Sequence, residues 1–378
     1  MRAPTMAAME IADLIKLQTL VLWAAFAVAV AFGFIAQRTH FCTMGALSDI
    51  VNMGDWTRMR TWGMAVGVAM IGFHAMAWLG WIDAKSTIYA SGRIIWLSAL
   101  VGGGLFGFGM VLASGCGSKT LARIGAGSLK SLVVFFVMGF AAFATLRGVL
   151  AVLRVNTVDR VAFDIPAGSA VPAWVASGFG LDPASTGMLV ALLVGGALIV
   201  WALLGTDFRN ANNLLAGGGL GLVIAAMWWV SGHLGFVAEH PETLEAVYLA
   251  TNTGRMESLT FTAPMAYTLD WVIFFSDTSK VWTVGVVTVV GVVVGAFVQA
   301  QLSRSFRWEG FRSTEDTALH LVGAVCMGVG GVTAMGCTVG QGLSGLSTLS
   351  LTSMIAVAGI FLGSIVGFRF QMWLLERE

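Results

Sequence analysis

Nine stretches of predominantly apolar sequence run through the chain, at roughly 19–36, 61–82, 94–113, 129–152, 185–205, 216–237, 281–302, 318–335 and 350–369. A helix that crosses a bilayer needs about 20 such residues, because the hydrocarbon core offers no water to a broken backbone. So many runs cannot all be packed inside one soluble core. Composition agrees. Charged residues make up 11% of the 378 and hydrophobic ones 57%, whereas soluble domains carry about a quarter charged residues. Mean hydropathy is +0.84. A net charge of +1 argues against a nucleic-acid partner. The expected fold class is an all-α integral membrane protein of about nine transmembrane helices, forming a single domain over residues 1–378.

The first apolar run follows Arg2 and Lys16 and could pass for a signal peptide. It is longer than a typical signal core and leads into Gln37-Arg38-Thr39-His40 instead of a small-residue cleavage site, so a retained first span is expected. Basic residues then set the orientation. Arg38, Arg58 and Arg60, then Lys119, Arg123 and Lys130, then Arg209, then Arg304, Arg307 and Arg312, and finally Arg369 and Arg377 fall in alternate loops. The positive-inside bias puts those loops and the C-terminus in the cytoplasm, with the N-terminus outside. Lys85, Arg93, Arg154 and Arg160 lie on the opposite side. The longest connectors, about 153–184 and 238–280, then face outward. The second holds Glu239, Glu242, Glu245, Glu257, Asp270 and Asp277 against Arg255 and Lys280.

An internal repeat emerges when Cys116 is laid on Cys337. Val101, Gly102, Gly107, Gly109, Val111, Ala113 and Gly115 then fall on Val322, Gly323, Gly328, Gly330, Val332, Ala334 and Gly336. The first cysteine follows the third span and the second follows the eighth, so an odd number of crossings separates them. Equivalent elements therefore point in opposite directions, the arrangement of inverted-repeat transporters, whose sites lie between the repeats. Repeat one is expected over about 19–152 and repeat two over about 185–370.

Both copies end a span in a segment rich in small and polar residues: Gly115-Cys116-Gly117-Ser118-Lys119 and Gly336-Cys337-Thr338-Val339-Gly340-Gln341. The next span begins only about 12 residues later, which suits a re-entrant loop dipping back into the protein. Irregular backbone at membrane depth survives only where protein buries it or a cavity adjoins it. Glycine lets backbone N–H groups face a ligand there, and such groups suit an anion. Lys119 and Arg123 either draw an anion toward this place or follow the positive-inside bias. A third thiol segment, Gln37 to Asp49, holds Arg38, His40 and Cys42, and its expected counterpart is Asp207–Asn213. His40 and Cys42 alone are too few donors for a metal centre. Cys326 aligns with Leu105 and reads as a packing residue.

Thiols suit an anion route. A dianion needs donors along its whole path, and fixed lysines would hold it too tightly to release it. A neutral thiol is a weak donor with a polarizable sulfur. A row of them gives a soft anion graded contacts.

At Arg38-Thr39-His40-Phe41-Cys42-Thr43-Met44-Gly45-Ala46, at Gly107 through Gly117 and at Gly328 through Gly345, the sequence resembles the YeeE/YedE family of bacterial membrane proteins, which includes thiosulfate uptake proteins. The resemblance implies an hourglass with loops dipping from both faces, in the inner membrane. It implies a relay of S–H···S contacts along Cys42, Cys116 and Cys337. Gly115, Gly117, Gly336, Thr338, Gln341, Arg38, Lys119 and Arg123, which flank these thiols in the sequence, are the expected supporting residues. Gln341 stands where a histidine is common in the family. No cofactor and no enzymatic activity are implied, and a cytoplasmic sulfur-carrier or rhodanese-type protein is the implied partner. The expectation is uptake of thiosulfate or a related sulfur anion. A selenium compound or another sulfur oxyanion is the alternative cargo. A membrane thiol oxidoreductase and a structural subunit are the alternatives from other classes.

Overall fold

The computed structural model describes residues 11–377. Arg2 lies outside them. The chain is mostly helical, and among the described residues nine helices are long and apolar enough to cross a membrane. They are α1–α2 (Ile11–Thr39, Thr43–Met53), α3 (Thr57–Trp78), α4–α5 (Trp96–Leu112, Gly117–Gly125), α6 (Leu129–Arg147), α9 (Pro183–Leu203), α10–α11 (Ala211–Leu214, Leu220–Trp229), α13 (Val284–Leu302), α14 (Thr314–Thr333) and α15 (Leu351–Leu375). Shorter helices α7 (Val149–Asn156), α8 (Val171–Phe179) and α12 (Thr262–Ile273) occupy the two long connectors. π-helical turns flank α11 and fill Gly340–Gly345.

Helix starts follow the local chemistry. Asp182 accepts from Ser185 N at 2.8 Å with Pro183 next in line, and Ser313 accepts from Asp316 N at 3.0 Å with Glu315 and Asp316 in the first turn. Each such cap contributes about 1 kcal/mol. The second span ends at Trp78 instead of near residue 82, because Gly80 turns the chain at φ 73°.

Glycines set how the helices meet. α4 and α14 run antiparallel through the centre of the bundle. A Cβ on Gly109 would stand 2.6 Å from the Gly323 carbonyl oxygen, and one on Gly323 would stand 2.6 Å from the Gly109 oxygen. Backbone therefore rests on backbone, the packing that small residues permit in a bilayer. α4 also packs along α15, and α14 along α6. α1 packs along α13, and α3 lies against α9 and α11. Cys326 sits half-buried on α14 with its Cβ toward Gly109, as a packing residue would.

One end of the bundle is stitched by its connectors. β1 (Arg93–Ile94) pairs antiparallel with β2 (Phe163–Asp164), and β3 (Phe236–Val237) pairs with β4 (Val247–Tyr248). Backbone bonds tie Ile88 to Met256 at 3.3 Å, and Val171 to Leu349 at 3.0 Å. The buried Tyr89 hydroxyl donates to Gly340 O at 2.6 Å, and Ser344 Oγ donates to Leu259 O at 2.7 Å. These bonds hold the π-helical segment after Cys337 against both the 79–95 and the 238–261 connectors.

Candidate functional site: a row of thiols at helix starts

The same local turn presents all three cysteines of interest. α1, α4 and α14 each end on a left-handed residue that is not glycine: His40 (φ 52°), Ser114 (φ 54°) and Met335 (φ 58°). The next N–H reaches back five residues, from Phe41 to Ala36 O at 3.1 Å, Gly115 to Met110 O at 2.8 Å and Gly336 to Gly331 O at 2.8 Å. This closes each helix as a Schellman cap does. The residue after that is the cysteine. A non-glycine residue in this conformation costs roughly 1–2 kcal/mol, and the chain bears that cost three times at equivalent places.

Each cysteine then begins a new helical segment. Cys42 is the N-cap of α2, and Gly45 N donates to its Sγ at 3.4 Å. Cys116 is the N-cap of α5, with Ser118 Oγ 3.3 Å from its Sγ. Cys337 Sγ accepts from Gly340 N at 3.4 Å, and the N–H groups of Phe261 and Val339 also face it. At least one backbone N–H group thus faces each sulfur, that of Gly45 for Cys42, Lys119 for Cys116 and Gly340 for Cys337, an arrangement that favours negative charge nearby.

The fold brings these turns together. The Cys42 and Cys116 side chains touch, the Thr338 hydroxyl lies beside the Cys116 thiol, and Cys337 stands next along the row. Cys116 and Cys337 are buried and Cys42 is partly so, and none is in a disulfide. Thr338 Oγ1 meets no geometrically sound hydrogen bond and is left as an orphan donor in this row. Lys119, partly buried, lies within electrostatic reach of Cys42, Cys116, Arg58 and Arg123. Arg123 Nη1 donates to Ser114 O at 2.8 Å, which braces the turn before Cys116. The row therefore ends in a cluster of cations, one of which, Arg58, is partly neutralised by Asp49 at 3.2 Å.

The supporting residues divide. Gly115 leaves room for the Lys119 stem, and Gly117 faces Met138, Met265 and Phe261. Gln341 sends Nε2 to Ala334 O at 2.6 Å and packs on Gly336, so it braces the Cys337 turn. Arg38 is exposed on the last turn of α1 and joins no bond in the cluster. Asp207–Asn213 is a largely exposed turn whose Arg209 donates to Leu203 O at 2.6 Å, so it does not match the Cys42 segment. Sequence reasoning missed Arg58, Ser118 and Phe261. It also missed the contact between Cys42 and Cys116, which no spacing along the chain announces.

The model of the family described as Sulphur transport matches residues 38–366, a stretch that holds all three turns. The chain belongs to the sulphur-transport (YeeE/YedE) family. Among curated relatives it is 27% identical over 340 residues to the thiosulfate transporter TsuA of Escherichia coli (strain K12), covering 88% of this chain and 89% of that one. It is 25% identical over 371 residues to the thiosulfate transporter TsuA of Spirochaeta thermophila, covering 94% of this chain and all of the other. As a sulphur-transport family member this is a multi-pass membrane protein concerned with moving a sulfur compound.

Proposed function

We propose that the chain takes thiosulfate into the cytoplasm along the row Cys337, Cys116, Cys42. The observation that carries the reading is that three thiols from three separate helix ends form one row that stops at Lys119. A thiosulfate ion has a terminal sulfur and three oxygens. It would pass from thiol to thiol with the Ser118 and Thr338 hydroxyls as further donors, and the cations at the far end would draw it onward. The name that both relatives bear supports the choice of cargo.

On this reading the two halves are inverted repeats. Support comes from the central crossing, where Gly102 faces Gly330 and Gly109 faces Gly323. In the alignment on Cys116 and Cys337, Gly102 matches Gly323 and Gly109 matches Gly330, so the partners are exchanged as a twofold axis between antiparallel helices requires. Beyond its cysteine, each half continues in a short helical segment. The protein lies in the bacterial inner membrane with its N-terminus outside and C-terminus inside. A sulfur-carrier or rhodanese-type protein receives the cargo in the cytoplasm.

The contact between Cys42 and Cys116 favours a second reading, a membrane thiol oxidoreductase, since such chemistry needs adjacent thiols. One experiment separates the two. A bacterium lacking sulfate uptake and its own thiosulfate transporter is grown on thiosulfate as sole sulfur source. Wild type is expected to restore growth and Cys337→Ala to abolish it. Uptake of labelled thiosulfate by proteoliposomes without quinone or thioredoxin then excludes the redox reading. No growth with well-expressed wild type would refute thiosulfate as cargo, and full growth with Cys337→Ala would refute the row of thiols.

A further inference from the structure

A cavity of about 210 Å³ lies at the connector end of the bundle, between the 250–260 segment, α12 and α13. Its lining includes Met335 and Gly336, the two residues before Cys337, so its floor is the first thiol turn. Its wall carries Glu257. That side chain is only 7% exposed, and its one hydrogen bond comes from Asn252 N at 3.4 Å. Ser231 Oγ donates to the Glu257 backbone carbonyl at 2.5 Å, which fixes the residue without touching its carboxyl.

A buried carboxyl normally has a cation beside it. Among the described residues no lysine or arginine pairs with Glu257. Arg154 lines the same cavity but is engaged by Asp159 at 3.2 Å. Arg255, two residues away, points to solvent. Of the other titratable groups, Tyr267 from α12 lines the cavity, and Tyr89 from the 79–95 connector lies within electrostatic reach of both Glu257 and the Cys337 thiol. Arg147 reaches Tyr267 from α6. Burial pushes both tyrosines upward, and a thiol ordinarily titrates above neutrality, so Glu257 is the group here that changes charge around pH 7. Desolvation raises its carboxyl to about 7, against a small opposing effect from the Asn252 N–H.

The two ends of the thiol row are thus opposite in kind. One meets Lys119, Arg58 and Arg123, and the other adjoins, through Met335 and Gly336, a cavity whose wall holds an acid with no cation paired to it. A carboxylate at hydrogen-bonding range of a dianion repels it strongly in a dry cavity. A neutral carboxyl there is a donor. We propose that Glu257 is a proton-binding site that gates the pathway: protonated, it donates a hydrogen bond to the anion resting above Gly336, and ionised, it turns the anion away. The conducting form holds one more proton, so uptake falls as pH rises through the carboxyl's titration. Thiosulfate itself stays a dianion over this range and contributes no pH dependence of its own.

This gate rests on the transport reading above, and one experiment separates their failures. Proteoliposomes are loaded at equal internal and external pH, which makes protein orientation immaterial, and labelled thiosulfate uptake is measured. For wild type, uptake is expected to fall roughly tenfold from about pH 6 to about pH 8, the ratio of neutral carboxyl at those values for a group titrating near 7. Glu257→Gln, neutral and still a donor, is expected to give a flat profile at the low-pH rate. A flat wild-type profile overturns the gate, as does a Glu257→Gln profile with the wild-type slope. Should that variant fail to fold, the wild-type profile with Glu257→Asp decides: the fall must persist with a displaced midpoint, and an unmoved midpoint overturns the assignment. Absence of uptake at every pH fails the transport reading and the gate with it, whereas uptake without pH dependence fails the gate alone.

Discussion

Cys116→Ala is expected to cut thiosulfate uptake by roughly 10- to 100-fold while leaving the folded protein intact. The thiol is the middle of the row, touching Cys42 on one side and the Thr338 hydroxyl on the other. Its removal strips a donor from a buried point of the proposed route, where no water replaces it. Losing one buried hydrogen-bonding partner costs about 1–3 kcal/mol, and the full amount falls on the ion as it passes. Stability should move little, because alanine fills most of the thiol's volume and the Schellman turn before it is made by backbone atoms. Cys116→Ser separates two ideas. Serine retains a donor but loses the polarizable sulfur, so an intermediate rate marks soft contact as part of the mechanism. Initial rates in proteoliposomes, with protein quantified, provide the measurement. Wild-type rates from Cys116→Ala would show that the ion does not pass this sulfur.

Gly109→Leu is expected to destabilise the fold by about 4 kcal/mol or more, at the upper end for single substitutions. At this place even a Cβ would stand 2.6 Å from the Gly323 carbonyl oxygen, and the neighbour is rigid backbone that cannot rotate aside. The helices must part, which opens voids along the rest of the crossing and forfeits dispersion contacts in the one environment where packing drives helix association. The Gly323→Leu variant should behave alike, since the contact is reciprocal. Thermal denaturation in detergent, read by loss of monodisperse protein, measures the effect. An unchanged midpoint for both variants would mean that the helices do not meet there. A leucine at Gly178, where a Cβ would meet nothing within 4 Å, is the matching control and should be neutral.

Much of this architecture was legible from the chain. Apolar runs marked nine spans because a bilayer tolerates little else, and Gly102, Gly107 and Gly109 with their partners marked the central pair. The two turns Gly115-Cys116 and Gly336-Cys337 could be read as one motif used twice. The short helices α2 and α12 were not legible. α2 merges with the end of a longer run, and α12 (Thr262–Ile273) lies inside an outward-facing connector with no apolar run long enough to mark a span. Along the chain Glu257 stands with Glu239, Glu242 and Glu245 in one connector, and only the three-dimensional path of 250–261 buries it apart from them. His40, Ser114 and Met335 concealed their left-handed turns, because intrinsic preference would place glycine there. The meeting of Cys42 with Cys116 depends on how α1 and α4 are placed, information that no local pattern holds.

The glycine seam between α4 and α14 has a mechanical meaning. Transporters that rock one half against the other slide across a cushion of side chains that can exchange neighbours. Here α4 and α14 rest backbone on backbone, with no such cushion, so one cannot slide past the other unless the two helices part. On the proposed transport reading, such a seam keeps the frame fixed while cargo passes, closer to a valve than to a pair of jaws.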